Sequence, residues 1–127
     1  ADDDMARLLR LDLDFTLRHA GKRCIGPWEE AGEHAHHYYV AVVQLGALVH
    51  GKAWINDDGK LAAAEKRLRA GLERHWSEGH GVYAAIRDAP GESADDLVDA
   101  AQLLAVLLRA DDEQHLPGLD AYVKREE

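Results

Sequence analysis

The chain holds one cysteine and three prolines, and aromatic residues make up only 6% of it. Each shortage excludes something. A single thiol, Cys24, forms no internal disulfide, and no matched His and Asp set marks it as a nucleophile. Scarce proline and few β-branched residues point to an all-helical chain. No run approaches the ~18 apolar residues of a membrane span. Cations are also short, with 15 Lys and Arg against 24 Asp and Glu, a net charge of -9. That balance argues against nucleic acid or an anionic membrane as partner, and suits a neutral ligand such as a sugar. There is no glycine-rich phosphate loop and no serine-centred elbow. The start, Ala1-Asp2-Asp3-Asp4, is acidic and is not followed by the apolar region of a signal peptide.

What is present is enough for one domain over residues 1–127, with 46% hydrophobic and 31% charged residues. The spacing of apolar residues predicts helices over about 5–20, 36–54, 60–76 and 93–110, and a last one opening at Pro117. The first carries two stripes, Leu8, Leu11 and Phe15 beside Leu9, Leu13 and Leu17. The second is apolar nearly all round, from Tyr39 to Val49, as expected of a helix buried on every side. The third has one narrow stripe, Leu61, Ala64, Leu68, Leu72 and Trp76. The fourth is again apolar over most of its circumference. Residues 82–86 read as short and extended. Alternating amphipathic and buried helices, joined by short links, match a two-layer α/α toroid.

The chemistry concentrates in Trp28-Glu29-Glu30. A carboxyl against an indole face is partly desolvated, which disfavours its charged form and keeps a proton on it near neutral pH. A general acid for acetal cleavage needs that property. The same two glutamates also suit the first turn of a helix, where they complement the macrodipole. His34 and His37 are spaced to share a metal with Glu33 or Glu30 if that segment is helical. A solvated helix start explains them as well, and no metal or other cofactor is expected. His75 and His80 read as surface residues beside a turn. Asp95 and Asp96 fit helix capping, whereas Asp99 lies one turn further in and joins the pocket candidates. Trp54 and Trp76 read as core packing.

In this order the segments resemble the middle of the glucoamylase-type glycoside hydrolases, family 15. The corresponding residues are Leu9 to Phe15, then Trp28-Glu29-Glu30, then the Gln44-Leu45-Gly46-Ala47-Leu48 stretch of the second helix. Leu61 to Trp76, Gly81 to Arg87, and Asp99 with Leu103-Leu104-Ala105 follow. The resemblance covers about residues 8–108. It implies part of an (α/α)6 toroid whose pocket lies at the N-terminal ends of the inner helices. It implies an inverting hydrolase that releases glucose from the non-reducing ends of α-glucans. Glu29 then matches the general acid, Glu30 a sugar-binding residue and Trp28 the aromatic wall. A secreted or periplasmic setting goes with that family.

The departures are specific. The family's second carboxylate, which activates water, has no counterpart here, nor has its early Arg-Asp pair. Gly26-Pro27 stands where the family has Asp-Leu, and residues 31–37 are about two residues longer than the usual pattern. The chain thus resembles roughly the central third of a catalytic domain, with the acid and without the base. The alternative expectation is a non-catalytic helical fragment or degenerate relative, binding sugar weakly or self-associating through its exposed inner helices.

Overall fold

A computed structural model describes residues 2–26 and 34–88. This part is mostly helical with little sheet. Helix α1 spans Asp2–His19, α2 spans Tyr38–His50 and α3 spans Asp58–Glu73, with a single 3-10 turn at Lys52–Trp54. Four two-residue strands complete it: β1 His36–His37, β2 Trp76–Ser77, β3 Val82–Tyr83 and β4 Ile86–Arg87. β1 pairs antiparallel with β4, and β2 with β3. The helices expected over 93–110 and after Pro117 lie outside the described residues.

α2 packs against both α1 and α3. The core between them holds Val42, Leu45 and Leu48 of α2 and Leu61, Ala64, Leu68 and Leu72 of α3. Each fully buried leucine contributes roughly 1.5–3 kcal/mol relative to an exposed one. The narrow stripe expected of α3 is the face that is buried, except at its end. The helix stops at Glu73, so His75 rather than Trp76 turns inward: His75 is 2% exposed and Trp76 38%. Both sequence expectations for that pair are therefore corrected. Trp54 is corrected too. The second helix ends at His50, and the 3-10 turn leaves the indole 40% exposed.

Two further boundaries move for local reasons. α2 begins two residues later than expected because His36 and His37 are extended and held by β4. α3 begins two residues earlier because Asp57 caps it, its Oδ1 accepting from the Lys60 N–H at 2.9 Å. Gly51, at the end of α2, allows α1 to close in: a Cβ there would lie 2.6 Å from a Leu13 methyl carbon.

α2 is not buried on every side among the described residues. Tyr38, Val42, Leu45, Gly46 and Leu48 are buried, whereas Val49 is 40% exposed and Ala47 is exposed. In α1 only the second stripe faces inward, through buried Leu13 and half-buried Leu9 and Leu17. The other stripe is open: Met5, Leu8, Leu11 and Phe15 are 54–67% exposed.

Candidate functional site

Three distant stretches meet at the N-terminal end of α2. Cys24 and Ala35 exchange both backbone hydrogen bonds, at 2.8 and 2.9 Å. His36 and His37 lie opposite Arg87 and Ile86, and the Tyr38 N–H donates to the Ala85 carbonyl at 2.9 Å. The chain therefore leaves this end of α2 after Cys24 and returns to the same place at Ala35. Gly26, with φ of 98°, makes the departure possible. A side chain there would also collide with the His37 ring, whose Cε1 would be 2.4 Å from the Cβ.

Asp88 gathers the three stretches. Its Oδ2 lies 2.9 Å from His36 Nδ1 and 2.6 Å from Arg87 Nη1, and its carbonyl accepts from Arg23 Nη2. Asp88 adopts φ of 59°, a left-handed conformation that Asp tolerates better than most side chains. Burial lowers the His36 pKa, and the neighbouring Arg87 charge adds to this against the opposing pull of Asp88. A neutral His36 donates Nδ1–H to Asp88 and leaves its Nε2 as a proton acceptor.

His75 stands behind this layer. Its Nδ1–H donates to the Ala84 carbonyl at 2.8 Å, and its ring meets the Tyr38 ring edge-on at 5.6 Å. Burial pulls its pKa down to about 4, the hydrogen bond to Ala84 opposing only in part. The imidazole is thus neutral at pH 7. Burial raises the Cys24 thiol, the opposite of what a thiolate nucleophile needs.

Cys24, His36, His37, Gln44, His75 and Arg87 line a small cleft at this end. It offers about 20 Å³, room for roughly one water and not for a sugar ring. The metal arrangement of His34 and His37 required a helix there, and Ala35 to His37 are extended instead. Among the described residues no group of three His, Cys, Asp or Glu side chains is placed to hold a metal ion.

The residues singled out for catalysis, Trp28, Glu29 and Glu30, and the pocket candidate Asp99, all lie outside the described residues. The two flanks of the first three are described, and both sit at the N-terminal end of α2. The sequence reading missed Arg23, Asp88 and the roles of His36 and His75. For His75 a signal existed, since it follows Leu68 and Leu72 at helical spacing. For Asp88 none did, because two of its partners, Arg23 and His36, come from segments far away in sequence. No protein-family model matches the chain, and no curated protein and no solved structure shows significant similarity to it.

Proposed function

We propose that the chain is part of a glucoamylase-like inverting glycoside hydrolase in which Glu29 protonates the leaving glycosidic oxygen. One observation carries this reading beyond the motif. The Cys24–Ala35 bridge brings both flanks of Trp28-Glu29-Glu30 to the N-terminal end of α2, the apolar helix between two amphipathic ones. In the toroid that the resemblance implies, that end of an inner helix faces the pocket. The α1, α2, α3 order and the packing of α2 against both others agree with outer, inner and outer helices.

Inversion requires a second carboxylate, roughly 6.5–9.5 Å from the acid, to activate water on the opposite face of the sugar. The base is not among this chain's matched residues, so another part of the polypeptide or a second subunit supplies it. Glu30 and Asp99 are assigned to sugar binding and Trp28 to the wall beside the acid. The test is glucose release from a short linear α-glucan. Glu29→Gln is expected to lower release by about 10²–10⁴-fold with the far-UV spectrum unchanged. Release by the native chain that Glu29→Gln leaves unaltered would remove Glu29 from the mechanism, whereas no release from either would mean that the acid is without its base.

A second reading draws on a different observation. The open α1 stripe of Met5, Leu8, Leu11 and Phe15 favours a non-catalytic helical protein that buries this face in self-association. Light scattering tests it: a strictly monomeric, folded species excludes it.

A further inference from the structure

The two sides of α1 differ in what covers them. Leu9, Leu13 and Leu17 turn inward, whereas Met5, Leu8, Leu11 and Phe15 are each more than half exposed. Spacings of three and four residues put the open four on one stripe along the helix.

We propose that this stripe is a two-fold interface, on which a second copy of the chain lays its own α1 antiparallel, with Leu11 near the axis. The proposal rests on the self-association reading and deepens it by naming the partner and its direction. Position argues for a like partner. Leu8 and Phe15 lie three and four residues to either side of Leu11, itself near the middle of the 18-residue helix. A half-turn about Leu11 therefore lays the stripe on itself, with Leu8 of each copy beside Phe15 of the other. Charge argues for the direction. Exposed Asp3 and Asp4 stand near the start of the helix, and Arg18 and His19 close it. In an antiparallel pair the acidic end of each copy meets the basic end of the other, and the helix dipoles oppose. In a parallel pair Asp3 and Asp4 would face their own copies. Exposed Arg7 and Asp14 are seven residues apart and so share one edge of the stripe. The half-turn brings Arg7 of each copy to Asp14 of the other. Asp14 also holds Arg18 at 3.2 Å on the surface, and a carboxylate accepts from two cations at once.

The stripe is about 27 Å long and about 10 Å wide, well below the ~800 Å² per partner of a standard interface, so a weak dimer with a Kd of about 10–100 µM is expected. The net charge of -9 on each copy adds long-range repulsion. Salt at about 0.15 M screens it beyond roughly 8 Å.

Sedimentation equilibrium of the full chain in that salt, from well below to well above the expected Kd, tests the association. Leu11→Glu is expected to weaken it about tenfold or more. Its unfolding midpoint is expected to stay unchanged, because Leu11 is exposed. Disulfides test the direction, since they need Cα atoms within about 7 Å. In a Cys24→Ser background with oxidised glutathione, Leu11→Cys is expected to cross-link to itself. Asp4→Cys is expected to cross-link to Arg18→Cys when the two are mixed, and neither of these to itself. Asp4→Cys linked to itself would mean a parallel pair and would overturn the proposal. A dimer that Leu11→Glu leaves intact would overturn it while keeping self-association through another face. A monomer at every concentration would overturn both readings. Shielding of Leu11→Cys from a thiol reagent in that monomer would assign the stripe to another part of this chain.

Discussion

The helical body and the histidine-rich end of α2 are held by different means. In the body, apolar side chains at helical spacing bury one another, and almost any hydrophobic residue of the right volume would serve. At the N-terminal end of α2, polar links are added to the buried Ala35, Tyr38 and Ala85. Backbone pairing, two left-handed residues and the Asp88 contacts to Arg23, His36 and Arg87 do the joining. The body is therefore expected to be indifferent to pH and sensitive to volume. The end is expected to be sensitive to pH and to backbone geometry.

The largest expected effect falls in the body. Leu48 is fully buried between the helices, and Leu48→Ala is expected to cost about 2–5 kcal/mol, the range for large-to-small changes in cores. Urea unfolding at pH 7 measures it, and the loss should be the same at pH 5. A loss that grew with acidity would blur the distinction between the two regions.

Next comes the pH response of the other end. The His75 pKa is about 4 in the folded chain against 6.5 for an unperturbed histidine. Between those values the unfolded chain takes up a proton and the folded chain does not. The contribution to stability is complete above pH 6.5 and is lost as pH falls toward 4, on the order of 3 kcal/mol over the window. His36, also lowered, adds to it with the same sign. Unfolding free energies of the native chain and His75→Gln, compared at pH 7 and pH 4.5, check this. The variant is expected to show the shallower fall, and equal falls would mean His75 is not the sensor.

The smallest effect sharpens the backbone side of the contrast. Gly26→Ala places a Cβ against the His37 ring and forces a left-handed residue, at an expected cost of about 1–3 kcal/mol. The ring can give way, which sets the lower bound. Stability unchanged within a few tenths would mean that this turn bears no strain.

Much of the body was legible because its signal is local. Leu61, Ala64, Leu68 and Leu72 sit three and four residues apart, and a helix is the only regular element that brings them to one side. Helix ends were less so. Stopping α2 at His50 and α3 at Glu73 exposed Trp54 and Trp76 and buried His75, and no pattern of apolar residues encodes those stops. The pairing of His36 with Arg87 joins residues from distant parts of the chain, and nothing near either one announces it. Asp88 belongs to the same class. Trp28, Glu29 and Glu30 were singled out in a third way, through resemblance and the chemistry of a carboxyl beside an indole, and they lie outside the described residues.

The Cys24–Ala35 bridge has a consequence for how this family of shapes can vary. A segment closed by two backbone hydrogen bonds at its base is entropically cheap to lengthen, since doubling a loop costs only about 0.6 kcal/mol. Insertions between Gly26 and His34 would leave α1, α2 and their interface as they are. The bridge thus decouples the length of the connection from the packing of the helices on either side of it.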